Sequence, residues 1–469
     1  MINTQPKQPK TDARLLRALI VLYVLLLVFE GVFRKWVLPS LSNELLVVRD
    51  PILLLIYMVA IAQSAFPFNV FVATLAVVGA GSIATGMTVG IADPVVVGYG
   101  FDACFLHLPL MFVIPNAMNR EDVIRLGRVV LLLLIPMSVL MAIQFRSSAD
   151  AWINCGAGGG LGGQLRGGLD KIRPPGFFTF ITGASQFISL ASAFVVYGLL
   201  RKGTYKTPLL LLAGFAVALS AAVSSSRLVI GGIGLVFVML SVIVALNRES
   251  MRNVLGMLIP IGLVLVVATN LDIFHEGRAV FEDRLIEAGD IGSGVIGTAG
   301  NWTQRVFGDF YGGFAALHEA PLLGRGLGVG TNVGASHLTG QLGFLVAEGE
   351  WARVILELGP ILGGAYLAIR VAMAYTLFQS GKMSVKEGNF LPILLFGSAV
   401  MLLLNGQFGQ STTAGFAVVC GGLCLASTNV SRVGGHPTGK ELAAINGWKA
   451  KPKGRSIYAQ MLHNDCEKD

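Results

Sequence analysis

Long apolar windows separated by short polar stretches run almost the whole length of the chain. They fall at residues 15–37, 44–63, 69–91, 96–117, 122–145, 177–199, 207–223, 228–247, 253–271, 351–376, 389–405 and 411–428. About 20 consecutive apolar residues make one helical crossing of a bilayer core. The pattern therefore predicts an all-α, polytopic integral membrane protein with about twelve transmembrane helices. The window at 69–91 is rich in glycine and that at 207–223 is short. The organisation that follows is an N-terminal tail (1–14), a transmembrane domain (15–428) and a C-terminal tail (429–469).

The polar intervals are unequal. Two are long, at about 146–176 and about 272–350, and both fall on the same side if every window crosses. Lysine and arginine in short loops mark the cytoplasmic side. Arg120, Arg125 and Arg128, then Arg201, Lys202 and Lys206, then Arg248 and Arg252, then Lys382 and Lys386, all lie on one side, together with the basic C-terminal tail. Both termini are expected in the cytoplasm and the two long loops outside it. The first window is preceded by a polar, basic stretch and no small-residue cleavage site ends it, so it reads as an uncleaved span.

Composition agrees with this reading. Apolar residues make up 54% of 469 positions and charged residues 13%, about half the usual share of a soluble protein. The net charge of +8 is scattered between apolar windows and forms no stripe with interleaved aromatics, so nucleic acid is excluded as a partner. Of five cysteines only Cys155 falls in an outer loop, so no external pair is present to form an intrachain disulfide. The pair Cys420 and Cys424 has helical spacing and reads as small apolar filler.

Arginine on the outer side goes against the charge rule. Arg34, Arg166, Arg173, Arg227, Arg278, Arg284, Arg305, Arg325 and Arg353 all sit in expected outer loops or outer span ends, beside only Lys35 and Lys171. A guanidinium grips phosphate oxygens with a rigid, permanently charged fork. Pairing with lipid phosphate or with acids such as Asp283 and Asp309 is the plainer role for any single one. Arg227 closes the run Ser224-Ser225-Ser226 and opens an apolar window, a costly position unless the charge is paired, snorkels to the interface or is functional. Within the larger loop, Trp302, Val306, Phe310, Phe314 and Leu317 recur at helical spacing until Pro321, predicting an amphipathic surface helix with Arg305 and Asp309 at its polar edge. The stretch Gly324-Arg325-Gly326-Leu327-Gly328-Val329-Gly330 follows; it offers backbone amides but matches neither a P-loop nor a dinucleotide fingerprint. Glu348, Glu350, Arg353 and Glu357 then lead into the tenth window. These carboxylates are either general bases or members of ion pairs at helical spacing. His318 and His337 share the loop, and nothing in it has metal-ligand spacing.

These features resemble the O-antigen ligase and polysaccharide polymerase superfamily. The resemblance rests on "HEAPLLGRGLGVG" (318–330) and "LELGPILGG" (356–364), on "IRPPGFFTF" (172–180) and on "SSSR" (224–227). "FEGVFRKWVLP" (29–39) and "FLHLPLMFVIP" (105–115) look like that superfamily's exopolysaccharide-associated branch. It implies a helical bundle of the GT-C type in the bacterial inner membrane, with a large periplasmic loop, that works as an inverting, metal-independent glycosyltransferase without cofactor. The substrate it implies is glycan on undecaprenyl pyrophosphate, with other polysaccharide assembly proteins as partners. Carried over by motif, Arg173, Arg227, Arg305, Arg325 and Arg353 would hold the pyrophosphate. Where members often carry a His-Asn pair, this chain has Glu348 and Glu350, so the expected base is Glu350, or failing it Glu348 or His337. The rival expectations are a transporter or flippase for lipid-linked glycan and a non-catalytic scaffold of an assembly complex.

Overall fold

The computed structural model describes residues 14–287, 294–341 and 343–429, apart from the side chains of 287 and 294–306. The N-terminal tail to residue 13, the C-terminal tail from 430 with Cys466, and the side chains of Trp302, Arg305 and Val306 lie outside the described residues.

The described chain is helical except for short turns and one hairpin. Its first part comprises α1 (Arg14–Val32), α2 (Asp50–Ala62), α3 (Val70–Thr88), α4 (Pro94–Phe101), α5 (Leu110–Ala117) and α6 (Arg120–Arg146). An antiparallel hairpin of β1 (Arg166–Gly168) and β2 (Lys171–Ile172) follows. Then come α7 (Ile181–Leu200), α8 (Thr207–Val223), α9 (Arg227–Leu246), α10 (Met251–Thr269) and α11 (Asp272–Glu287). The last part holds α12 (Gly294–Glu319), α13 (Asn332–Thr339), α14 (Glu350–Lys386), α15 (Leu391–Asn405) and α16 (Ser411–Ala426).

Among the described residues, nine helical segments are long and apolar enough to cross a membrane by length and composition. Three shorter apolar helices, α8, α15 and α16, stand where the sequence predicts further spans. The apolar window of α7 is 89% buried and that of α10 only 11%, so α7 is the centre of the bundle and α10 its rim. Leu255, Leu258, Ile259, Leu263 and Val266 of α10 all face outward. Water would penalise that exposed apolar surface, whereas lipid accepts it.

Two interruptions position polar groups inside the bundle. Between α4 and α5 a π turn, Asp102–Leu106, replaces regular helix; a second, Phe33–Val37, ends α1. Within α14, Gly359 adopts φ 80 and ψ 168 just before Pro360, which splits the helix into Glu350–Leu358 and a longer second half. The carbonyls freed by the break are not wasted. Leu356 O accepts from Arg325 N (2.9 Å) and Glu357 O from Gly326 N (3.0 Å), so the glycine stretch packs on the break.

Loop contacts fall into two sets. Asn116 Nδ2 donates to Ala65 O, Arg120 N to Asn429 O, and Asn389 Nδ2 to Ser427 O. The other set joins Gln407 Nε2 to Glu348 O, Lys171 to Glu276, and His337 to Asp93. The predicted surface helix corresponds to α12, where Phe310 packs edge-on against Trp351 (4.7 Å) while Phe307, Tyr311 and Phe314 stay exposed.

Candidate functional site

The hairpin, the serine turn and α11 meet in one corner rich in arginine. A Cβ on Gly167 would lie 3.2 Å from Ser225 Cβ, so the hairpin rests directly on the turn before α9. Asp283 of α11 accepts from Leu169 N (3.1 Å), Lys171 pairs with Glu276 (2.7 Å), and Arg284 donates to Ser225 O. Ser225 holds φ 45, a left-handed conformation rare for a residue with a side chain. Among the described residues its hydroxyl is buried without a hydrogen-bond partner, and no side chain caps α9. An uncapped helix N-terminus carries unsatisfied amides and a partial positive charge. Arg227 is the first residue of that helix. Arg173 joins the corner by donating from Nε to Arg166 O (2.9 Å). Burial lowers the Arg173 guanidinium below its ordinary value. Arg173, Arg284 and the first residue of α9, Arg227, thus stand on elements that meet at this corner.

Arg353 and Arg325 belong to a second group on α14 and the glycine stretch. Arg353 forms a fork onto Glu350 (2.9 and 3.0 Å) and reaches Glu357 (2.9 Å), while Arg370 adds a third bond to Glu350 (2.6 Å). All four side chains are buried. Arg370 also donates to Leu403 O and Gly406 O at 2.8 Å and lies over the Phe408 ring at 3.9 Å. Glu357 accepts from Gly330 N (2.6 Å) and Gly328 N (3.3 Å). The glycine stretch therefore cradles a carboxylate of its own chain with the amides that the sequence offered to a phosphate. Arg325 itself is exposed.

Of the three carboxylate or imidazole bases expected, Glu350 has both oxygens taken by guanidinium groups. His337 Nε2 lies 3.1 Å from Asp93 Oδ2, and Asp93 also caps α4 through Val95 N and Val96 N. Glu348 is exposed and lines a shallow surface cleft, with room for about one water, beside Thr331, Asn332, Phe344, Gln407 and Gln410. Arg305 falls on α12, and its side chain lies outside the described residues. Other outer arginines are simply paired: Arg34 with Glu30 (3.1 Å), Arg166 with Asp170 (3.4 Å) and Arg278 with Glu282 (2.7 Å).

Sequence reasoning missed a third polar group. Glu30 and Tyr23 of α1, Arg49 and Asp50 at the start of α2, and Asp102 and His107 around the π turn converge inside the bundle. The motifs at 29–39 and 105–115 thus meet in space. Each of these charges sits at or inside an apolar window, where an ionisable residue needs a reason; that was the available signal. Arg284 stands among the outer arginines in the sequence, but its bond to Ser225 O, 59 residues away, is not readable from spacing.

A scan against models of known protein families finds no match to this chain, and a search of curated proteins finds no significant relative.

Proposed function

We propose that this chain is a glycosyltransferase of the bacterial inner membrane, acting on the periplasmic face to polymerise or ligate undecaprenyl-pyrophosphate-linked oligosaccharide. This reading takes α8, α15 and α16 as spans beside the nine longer segments, with both termini in the cytoplasm and the arginine corner outside. The two sets of loop contacts support that sidedness, since each set joins loops that alternate along the chain. The observation that carries the reading is the corner itself: an α9 N-terminus with no side-chain cap, a buried Ser225 hydroxyl with no hydrogen-bond partner among the described residues, and Arg173, Arg227 and Arg284 on three elements that meet there, each already holding an interaction of its own. That is the donor set a pyrophosphate needs.

Pyrophosphate leaves readily once its growing charge is matched, so Arg173, Arg227 and Arg284 stabilise the departing oxygen. The acceptor hydroxyl loses its proton to a carboxylate as its oxygen forms the new bond to the anomeric carbon, and the bond to the pyrophosphate breaks on the opposite face. Glu348 is the candidate base, because its side chain is exposed whereas Glu350 is buried between guanidinium groups. Glu350 serves instead to fix Arg353 and Arg370. The reaction needs no metal. Reconstituted protein supplied with undecaprenyl-pyrophosphate oligosaccharide tests the assignment. Arg227→Ala and Glu348→Gln should each slow elongation at least tenfold, while Glu350→Gln acts mainly on stability. Elongation at the wild-type rate in both of the first two variants would remove this site.

One observation favours a second reading, a transporter of lipid-linked glycan. The broken α14 and the charges buried beside it match the interrupted helices of secondary transporters. Passage of unaltered glycan across the bilayer would decide for it.

A further inference from the structure

The cluster between α1, α2 and the π turn has a geometry that neither the glycan reading nor simple hydrogen bonding explains. His107 is 2% exposed, and its Nε2 lies 3.3 Å from Asp50 Oδ1 and 3.3 Å from Asp102 Oδ1. Charge-assisted N–H···O bonds are shorter, about 2.7–2.9 Å. Neither contact is a well-directed hydrogen bond, and both His107 Nε2 and Asp102 Oδ1 are buried without a hydrogen-bond partner among the described residues. The three ligand atoms lie within 4.8 Å of one another. Bond lengths of about 2.0–2.1 Å to a tetrahedral zinc-type ion give ligand-to-ligand edges of about 3.3–3.4 Å. The two measured edges fall there.

Three further features agree. The π turn is what sets the ligands on one face: residues five apart in an α-helix point about 140° apart, whereas the π turn's i→i+5 bonding aligns Asp102 with His107. His107 Nδ1 is held by the Tyr23 hydroxyl at 2.7 Å, and Arg49 Nη1 donates to that hydroxyl at 3.3 Å. Metal-ligating histidines are oriented in this way through their second nitrogen. Finally, three carboxylates (Glu30, Asp50, Asp102) face two guanidinium groups (Arg34, Arg49), since Glu30 accepts from Arg34 at 3.1 Å and from Arg49 at 3.2 Å. With His107 neutral this leaves one negative charge over, which a bound cation would balance.

We propose that Asp50, Asp102 and His107 bind a divalent first-row transition ion of the zinc type, which ties α1, α2 and the π turn together. One imidazole and two carboxylates suit such an ion, with a fourth position left for water. The site is structural and stands apart from glycosyl transfer, so its test does not depend on that activity.

The test is titration of the tag-free, full-length protein in detergent micelles, after chelator treatment, with Co²⁺ alone. Its absorption reports coordination, and calorimetry reports stoichiometry. The account expects one Co²⁺ per chain with the intense bands of a tetrahedral site, displaced by Zn²⁺. Tyr23→Phe should weaken binding about tenfold to a hundredfold. His107→Gln and Asp102→Asn should weaken it further. Folded wild-type protein that takes up no Co²⁺, or uptake unchanged in folded His107→Gln or Asp102→Asn, overturns the site and leaves His107 as a proton bridge between two carboxylates.

Discussion

Arg353 and Arg370 illustrate what a buried charge demands. Between them they satisfy both oxygens of Glu350, and the remaining donors of Arg370 reach carbonyls at the end of α15 and just beyond. Taking one partner from such a network leaves an uncompensated charge, which costs about 3–5 kcal/mol. Arg370→Ala should therefore lower stability by about 3–5 kcal/mol in a denaturant or thermal assay, and a loss below 1 kcal/mol would show that the pair is wetter than the geometry implies. Asp309 makes the opposite case. It is half-buried against Gly349, one of its oxygens finds no partner among the described residues, and burial together with the nearby Glu350 raises its carboxyl above the ordinary value. The native state then holds that proton more tightly than the unfolded chain, so this group's contribution to stability falls as pH rises. Asp309→Asn should melt higher than wild type at pH 7, with the gap closing as pH drops toward about 4, the ordinary range of Asp. A gap independent of pH would contradict this. The ion pairs Glu350–Arg353 and Arg353–Glu357 were legible from helical spacing, because one turn of helix dictates them. Arg370 was not, since only the fold returns it to Glu350 from 20 residues along the chain.

At the scale of elements, the break in α14 and the glycine stretch form one device. Gly324 adopts φ 76, and a Cβ there would strike Glu357 O; Gly328, at φ 89, is pressed against Val96 O. Both positions need glycine for conformation as well as for space. Gly324→Ala should destabilise the protein by more than about 1 kcal/mol and loosen Glu357, which slower amide exchange in wild type than in the variant at 324–330 would report. Equal exchange would mean that the loop is not held by the break. The sequence shows where glycines alternate, but not that their amides serve a carboxylate from the next helix. The helices themselves were legible because apolar length alone sets them. The two π turns were not, because nothing in composition distinguishes one extra residue in a turn.

At the scale of the molecule, apolar surface and buried charge divide the labour. α10 and the outer faces of α2 and α3 present side chains suited to lipid, while the charged groups gather in three places within or at one end of the bundle. The arginine corner joins residues 59 and 114 positions apart in sequence, so only its members' unusual sidedness was visible beforehand. If the corner faces the periplasm, a cysteine placed at Leu169 should react with a membrane-impermeant thiol reagent in intact cells, and one placed at Lys202 should not. The reverse labelling would invert the whole arrangement. Glycan elongation is the expectation there, and its most direct measurement is the chain length of undecaprenyl-pyrophosphate glycan after incubation with wild-type proteoliposomes. Longer glycans should appear, with free undecaprenyl pyrophosphate released for each unit added. Glycan of unchanged length, whether left in place or carried across the bilayer, would contradict it.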